Sequence, residues 1–378
     1  MKLSYFNSIL LFFFIIGISN YNYSQNLLLS KNAKVSIITC DTGNESYSLF
    51  GHTAIRIFDL ENNFDIVYNY GAFDFSTPNF VAKFSKGDLQ YFVVSYSFTD
   101  FLNQYSLEQR SVYEQELNID LAYKQKLFND LNIVVSTDQR FYTYKFIDKN
   151  CTSMVVEMIN KTLGNNVIVK KFDTDITYRS ILYPYFDDFF YDKLGTSIIF
   201  GNKVDQLGSK IFLPLELKKS LSDIQFKNQS LCSESKTLLN FEKRTNTSWW
   251  NNNYSFLIFL VLIIVVNKKS TTLFYLSIMG ILGLFFGFMG FYSLHQELTD
   301  NYNIALFNPS LLILAYFYLK NNKKWTLNLC VFNFISVLVY FILVFNKAHF
   351  FIVLPLIATS CIILLIIRKT TIPLTTLP

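Results

Sequence analysis

Five apolar runs in the last third of the chain limit what it can fold into. They cover residues 254–266, 271–294, 304–319, 325–345 and 349–367 of the 378-residue sequence. A helix needs about 20 apolar residues to cross the hydrocarbon core of a bilayer. The first and third runs are shorter than that, and we expect Trp249 and Trp250 to extend the first one at the membrane surface. We therefore predict an α-helical domain of five transmembrane helices over residues 249–378.

The loops between these runs alternate in charge. Seven Lys and Arg residues occupy three of the loops, at 268–269, 320–324 and 368–369. The two intervening loops hold only Lys347. Since cytoplasmic loops are enriched in Lys and Arg, the cation-poor loops lie on the opposite side. This places residues 21–250 and the 295–308 loop on the outer side of the membrane, periplasmic or extracellular, and predicts a multi-pass membrane protein.

Residues 21–250 differ in composition from the apolar part. They hold 24 basic and 26 acidic residues, whereas residues 251–378 hold eight basic and two acidic ones. The density of charged residues in 21–250 is typical of a folded soluble domain. The excess of cations lies between apolar runs and not on a soluble surface, so we expect no nucleic-acid partner.

The N-terminus has the pattern of an export signal. Lys2 precedes an apolar run at 9–18, which is short for a membrane span. Polar residues follow, so we assign residues 1–24 to a signal peptide or an uncleaved signal anchor. Residues 25–248 then form the exported domain.

The exported domain is predicted to have an α+β fold, because strand and helix patterns do not alternate regularly along it. Alternating or β-branched stretches predict strands at 34–40, 50–58, 65–75, 112–119 and 141–146, the second and third of which form a hairpin. Helices are predicted at 78–86, 98–107, 121–134 and 151–161. Asp120 and Asn150 are the expected N-caps of the last two.

Cys151 is the best-placed nucleophile of the exported domain because it lies at the first turn of a predicted helix. A helix N-terminus lowers the pKa of a thiol and favours the nucleophilic thiolate. Two other interpretations stay open: Cys151 is a buried structural cysteine, or it forms a disulfide with Cys40 or Cys232. Because export favours oxidation, Cys40 and Cys232 are also candidates to pair with each other.

His52 is the only histidine between residues 21 and 250, so a Cys–His catalytic pair in the exported domain requires it. Small neighbours leave room beside its imidazole, although a satisfied core histidine would have the same pattern. A cysteine nucleophile needs a base within hydrogen-bond reach and a third group that orients the base. Asn69 and Tyr70, on the paired strand, are candidates for that third role. Strand alternation puts only one of them on the His52 face.

The 295–308 loop is unusually polar for a connection between two spans. It is either a solvated connector or part of a lipid headgroup site that includes His295 and Asn308, because ionisable residues at the end of a span often mark function. The sequence has no ligand spacing for a metal site, no Gly-rich phosphate loop and no G-x-S-x-G nucleophile. We expect no metal and no cofactor.

Several short motifs of the exported domain resemble those of one family. They are Thr39-Cys40, the segment 47–56 that contains Phe50-Gly51-His52, the segment 68–75, Tyr142-Thr143-Tyr144 and Asp148-Lys149-Asn150-Cys151-Thr152. Together with the five predicted helices, these motifs resemble the Lnb-type lipoprotein N-acyltransferases of Bacteroidota. The resemblance extends over about residues 27–367.

The resemblance implies a permuted papain-like thiol fold, with His52 on a strand and Cys151 at a later helix start. It also implies transfer of a fatty acyl chain, through a Cys thioester, to the N-terminal amine of a lipidated cysteine. The partners are then membrane lipids and bacterial lipoproteins. Within the motifs, Arg56 and Asp74 are candidate substrate-binding residues. Two alternatives stay open: a membrane-tethered papain-like peptidase or amidase, and a non-enzymatic sensor or scaffold.

Overall fold

The computed structural model describes residues 27–45, 47–164, 166–242 and 248–372. The predicted signal segment, residues 1–24, lies outside these ranges. Within them, a sheet-rich domain precedes a series of apolar helices. This order agrees with the predicted division into an α+β domain and a membrane domain.

Seven strands form one antiparallel sheet in the order β6-β4-β3-β2-β1-β5-β9. Their bounds are β1 Lys34–Cys40, β2 His52–Asp59, β3 Phe64–Ala72, β4 Gln90–Ser97, β5 Val112–Glu116, β6 Phe141–Thr143 and β9 Lys236–Leu239. Strands β7 Gln225–Phe226 and β8 Gln229–Ser230 form a separate ladder. The predicted hairpin is confirmed as β2 and β3, whereas β4 and β9 were not predicted.

The helices of the exported domain cover both faces of the sheet. They are α1 Phe80–Lys86, α2 Phe98–Leu107, α3 Leu121–Ser136, α4 Cys151–Leu163, α5 Tyr178–Leu182, α6 Phe190–Ile199 and α7 Pro214–Leu221, with 3-10 turns at Asp138–Arg140, Tyr183–Phe186 and Asn202–Asp205. Apolar residues of α3 and α4 share a core with one face, and those of α2 share a core with the other. Because both faces are covered, six consecutive residues of β1 are buried.

The two predicted N-caps behave differently. Asn150 caps α4 with its side chain. Asp120 occupies the N-cap position of α3 as predicted, but its side chain makes no capping hydrogen bond. The Asp120 carboxylate instead accepts a hydrogen bond from Lys227 Nζ at 2.7 Å.

Cys40 and Cys232, the candidates for a disulfide, lie too far apart to form one. Cys40 lies opposite Val112 of β5, whereas Cys232 lies opposite Leu117. Five residues of an extended strand separate these two points by about 17 Å. A disulfide requires Cα atoms no more than about 7 Å apart. The described cysteines, Cys151 included, are all free thiols.

The membrane part consists of α8 Asn253–Val266, α9 Lys269–Tyr292, α10 Ser310–Leu319, α11 Lys323–Val344 and α12 Phe350–Thr371, with 3-10 turns at Gln296–Leu298 and Tyr302–Ala305. Four segments are long and apolar enough to cross a bilayer: Lys269–Tyr292, Gln296–Leu319, Lys323–Val344 and Phe350–Thr371. The second of them joins both 3-10 turns to α10. Helix α8, with 14 residues, is shorter. The five predicted spans therefore correspond to four long segments and one short helix.

The 295–303 loop joins the membrane part to the exported domain. Its residues Glu297 and Asn301 are buried. The Gly201 N–H donates to the Glu297 carbonyl at 2.7 Å, and Asn301 Nδ2 donates to the Ile198 carbonyl at 3.0 Å. The loop is therefore an interface between the two parts, and its interpretation as a solvated connector is wrong.

Lys347, the exception to the charge pattern of the loops, has a partner in the exported domain. Its Nζ lies 3.0 Å from the Asp205 carboxylate. The same carboxylate accepts hydrogen bonds from Arg179 Nε at 2.6 Å and from the Tyr302 hydroxyl. Arg179 is fully buried, so its charge needs this partner. The ion pairs add a second contact between the exported domain and the outer loops.

Candidate active site

Cys151 is the first residue of α4, and the residue before it fixes its position. The Asn150 side chain accepts a hydrogen bond from the Ser153 N–H at 3.0 Å, and the Ser153 hydroxyl accepts one from the Asn150 N–H at 2.8 Å. This capping box closes the start of the helix. Asn150 Nδ2 also donates to the carbonyls of Phe146 and Phe212, at 2.7 and 2.8 Å. The thiol therefore projects from an anchored helix N-terminus.

Gly71 allows the thiol and the imidazole to approach each other. It lies in a β-bulge, where the pairing of β3 with β4 shifts between Tyr70 and Ala72, and its φ of +102° favours glycine. A β-carbon built on Gly71 would lie 3.5 Å from Cys151 Cβ and 3.7 Å from His52 Cε1. Both side chains thus flank one point of the backbone at van der Waals distance, and the positive φ disfavours any residue other than glycine there.

Asn69 orients the His52 ring. His52 Nε2–H donates to Asn69 Oδ1, which leaves Nδ1 as the ring nitrogen available to the thiol. Asn69 Nδ2 in turn donates to the Tyr96 hydroxyl at 3.1 Å. The Tyr70 ring packs on the opposite face, in the core shared with α3 and α4. Of the two candidates for the third role, Asn69 therefore contacts His52.

The surroundings of Cys151 stabilise its thiolate. Burial raises the pKa of this thiol, but the charge and hydrogen bond of His52, the Thr53 N–H and the Thr152 hydroxyl together outweigh burial and lower the pKa below its ordinary value. For His52, burial lowers the pKa, but the neighbouring thiolate and the hydrogen bond to Asn69 outweigh it and raise the pKa. Shifts of opposite sign favour a thiolate–imidazolium pair.

Tyr142 and Gly71 belong to this site although the sequence analysis did not select them. The Tyr142 hydroxyl would lie 3.9 Å from the same built β-carbon on Gly71. It is buried and has no hydrogen-bond partner within the described part of the chain. A glycine inside a strand pattern is a signal for a β-bulge or for a close approach of the backbone to another group, and this signal could have identified Gly71. For Tyr142 the sequence signal was its place in the motif Tyr142-Thr143-Tyr144, which did not single out its hydroxyl.

Arg56 and Asp74, the first pair of candidate substrate-binding residues, lie away from the thiol. Arg56 is four residues along β2 from His52, a distance of about 13 Å. Its guanidinium is bonded to Asp65 at 2.7 Å and to Glu114 at 2.9 Å. Asp74 is exposed on the turn after β3. A substrate-binding role for either residue stays a prediction.

His295 and Asn308, the second pair, hold parts of the protein together. His295 is buried, and its Nε2–H donates to the Phe84 carbonyl of α1 at 3.0 Å. Asn308 Oδ1 accepts a hydrogen bond from the Ser310 N–H at 3.0 Å, and its Nδ2 donates to the Ser336 hydroxyl at 3.1 Å. Their predicted role at a lipid headgroup stays a prediction.

The chemistry available at this site is nucleophilic. Cys151 can attack a carbonyl carbon as a thiolate, and His52 can carry protons to and from the leaving and attacking groups. Among the described residues, no three His, Cys, Asp or Glu side chains come together to hold a metal ion. A thiolate that attacks a carbonyl carbon forms a covalent adduct, which for an ester is a thioester.

Two family models match the chain. The Lnb N-terminal periplasmic domain matches residues 21–183, which include His52 and Cys151, and the Lnb transmembrane domain matches residues 254–371. The two matches together cover well over half of the chain. No curated protein and no solved structure matches it.

The pKa shifts predict the pH dependence of Cys151 alkylation. Alkylation by iodoacetamide rises with pH as the thiol ionises, so we expect the rise in the wild-type protein to lie below that of an ordinary thiol. In His52→Ala we expect the rise in alkylation to move to higher pH. Burial still raises the pKa of the Cys151 thiol there, whereas the imidazolium that lowers it is gone. Mass spectrometry of the Cys151 peptide after timed labelling measures both curves.

The buried Cys40 and Cys232 give an internal control in the same digest. Burial raises the pKa of both thiols, that of Cys232 to about 12, so we expect them to stay unlabelled at neutral pH. Coincident Cys151 curves for the wild type and His52→Ala would contradict the assigned pair.

Proposed function

This chain belongs to the Lnb family, and we propose that it is a lipoprotein N-acyltransferase of the inner membrane. It moves a fatty acyl chain from a membrane lipid to the N-terminal amine of a lipidated cysteine, by way of a thioester on Cys151. The observation that carries the proposal is a thiol of lowered pKa beside His52, in a domain bonded to the outer loop of a membrane domain.

The segment that leads into Cys151 touches that loop. The Ile147 N–H donates to the Glu297 carboxylate at 3.3 Å, and Lys145 Nζ donates to the Leu294 carbonyl at 3.2 Å. Ile147 precedes the thiol by only four residues. Lipid esters of the periplasmic leaflet are therefore the acyl compounds that lie nearest to the site.

The first half-reaction transfers the acyl chain to the enzyme. The Cys151 thiolate attacks the ester carbonyl carbon and forms a tetrahedral intermediate. The carbon–oxygen bond to the lipid alcohol then breaks, and the His52 imidazolium gives that oxygen its proton. The products are a thioester on Cys151, a lysolipid and a neutral imidazole.

The second half-reaction transfers the chain to the lipoprotein. The neutral N-terminal amine attacks the thioester carbonyl, and His52 accepts the proton that the nitrogen loses. The carbon–sulfur bond breaks, so the thiolate is regenerated and an amide is formed. Water would give a free fatty acid at this step, and a site that faces lipid restricts its access.

Both half-reactions place negative charge on the former carbonyl oxygen. Backbone N–H groups at the start of α4 point towards that charge. The Tyr142 hydroxyl is a further donor, because it is buried beside the thiol and has no other partner among the described residues. We assign it to the oxyanion.

Two other functions would use only part of this arrangement of site and membrane domain. A peptidase or amidase could use the same Cys–His pair, but a single span would be enough to tether it. A sensor or scaffold would need neither the lowered pKa of Cys151 nor the bonded His52–Asn69 pair. Acyl transfer to a lipoprotein uses both the site and its contact with the membrane domain.

The proposal predicts that Cys151→Ala abolishes N-acylation, because the thioester cannot form. Full-length protein in phosphatidylethanolamine vesicles is mixed with a synthetic diacylglyceryl-cysteine peptide, and mass spectrometry follows the peptide N-terminus and the lysolipid. The matched control is Cys232→Ala, which removes a buried thiol remote from His52 and is expected to keep activity. N-acylation by Cys151→Ala would refute acyl transfer through this thiol, and a cleaved peptide would favour the peptidase.

Removal of the Tyr142 hydroxyl is predicted to lower kcat about 100-fold with little change in KM, because one oxyanion donor acts mainly in the transition state. Steady-state kinetics of Tyr142→Phe in the same assay measures the effect. Tyr70→Phe is the matched control, since it removes another buried hydroxyl that has no partner in the described residues. Equal kcat values for the two variants would argue against the oxyanion role.

A further inference from the structure

Helix α1 and the turn before it expose large apolar side chains beside the membrane domain. Helix α1 has no buried residue. Val81 is 73% exposed, Phe84 is 44% exposed, and Phe75 in the preceding turn is 70% exposed. Contiguous apolar surface of this kind usually marks a contact with a partner or a membrane.

The loop that follows α9 fixes α1 at the end of a predicted span. The last carbonyls of a helix need partners, and three of those in α1 receive them from this loop. The Leu294 N–H donates to the Lys86 carbonyl at 2.7 Å. The Ser293 hydroxyl donates to the Ser85 carbonyl at 2.8 Å, and His295 Nε2–H donates to the Phe84 carbonyl at 3.0 Å. Because α9 ends at Tyr292, α1 lies at the level where the chain leaves the membrane.

The surface around α1 has the chemistry of a membrane interface. Phe291 at the end of α9 is 96% exposed, and Leu294 is 54% exposed, so the apolar surface continues from α1 onto the predicted span. Lys83 lies in the last turn of α1, and Lys86 in the same turn is paired with Asp88 at 2.6 Å. Apolar and basic side chains together bind an anionic lipid surface.

A series of aromatic rings connects this surface with the thiol. The Tyr142 and Tyr91 ring centroids are 6.2 Å apart, those of Tyr91 and Phe73 are 5.1 Å apart, and those of Phe73 and Phe75 are 4.8 Å apart. Exposure rises along this aromatic path from 4% at Tyr142 to 70% at Phe75. The three centroid steps together give the aromatic path a length of about 16 Å from Tyr142 to Phe75.

We propose that α1 and the preceding turn insert into the periplasmic leaflet and that the aromatic path binds the acyl chain of the lipid donor, with the ester at Cys151. The second part rests on the proposed acyl transfer, whereas the first part does not. The apolar rings bind the chain without hydrogen bonds, so chains of different composition fit the path.

Insertion is tested by fluorescence quenching in the full-length protein. The three native tryptophans are replaced by phenylalanine (W249F, W250F and W325F), and one reporter is introduced by Val81→Trp. The matched control is Leu60→Trp, because Leu60 is also 73% exposed but lies beyond the far end of β2 from His52. In vesicles of phosphatidylethanolamine and phosphatidylglycerol with brominated acyl chains, we expect quenching at position 81 and none at position 60. Equal emission at both positions would overturn insertion.

Phe75→Asp and Leu60→Asp test what the exposed end of the aromatic path does for the reaction, because the two side chains are similarly exposed, at 70% and 73%. Burial of one large apolar side chain contributes about a factor of ten to an equilibrium constant, so we expect acyl transfer to fall about tenfold in Phe75→Asp and to stay unchanged in Leu60→Asp. Alkylation of Cys151 by iodoacetamide, which is water-soluble, should be the same in both variants, which shows that the site is folded. Equal acyl transfer in the two variants would overturn the path.

These outcomes separate this inference from the proposed function. If the reporter at position 81 is quenched but the wild-type protein forms no N-acylated peptide, α1 is a membrane contact and acyl transfer is refuted. If the wild type is active but the reporter is not quenched, acyl transfer stands and the inserted helix is refuted.

Discussion

The polar outer loop, residues 295–303, determines where the exported domain is attached to the membrane part. Its buried groups have left water and must be hydrogen-bonded within the protein. The Glu297 carboxylate and carbonyl, together with Asn301, find their partners in the exported domain. The loop therefore fixes the position of the exported domain at one end of the apolar helices. The ion pair of Lys347 with the buried Asp205 holds the same two parts together at a second point.

The position of the exported domain determines which compounds can reach the site at the start of α4. Many thiol enzymes contain a thiol of lowered pKa beside an oriented imidazole, and this pair by itself does not select a substrate. Here the segment before Cys151 bonds to the outer loop through Ile147, and α1 bonds to the end of α9 through His295. The same contacts that satisfy buried polar groups thus bring the thiol close to one end of the membrane domain.

Local patterns allowed the sequence to predict much of this arrangement. Asn150 followed by an apolar stripe marked the start of α4, and cation-poor loops marked the outer side of the membrane. Strand β4 was missed because helices and neighbouring chain cover both of its faces, so Tyr91, Phe92 and Val93 show no alternation of apolar and polar residues.

Other features depend on contacts that are distant in the sequence. The choice between Asn69 and Tyr70 depends on how β3 is paired with β2, and the bulge at Gly71 depends on its pairing with β4. The buried state of Glu297 depends on Ile147, 150 residues earlier. For the same reason, the spacing of cysteines could not exclude the disulfide that the strand register rules out.

The central claim is that Cys151 carries a fatty acyl chain between two substrates. The most direct test is mass spectrometry of the Cys151 peptide after full-length protein is incubated with phospholipid vesicles without a lipoprotein acceptor. The account predicts an acyl thioester on Cys151 that hydroxylamine releases and that disappears when a diacylglyceryl-cysteine peptide is added. An unmodified Cys151 in a preparation that goes on to N-acylate the added peptide would contradict it.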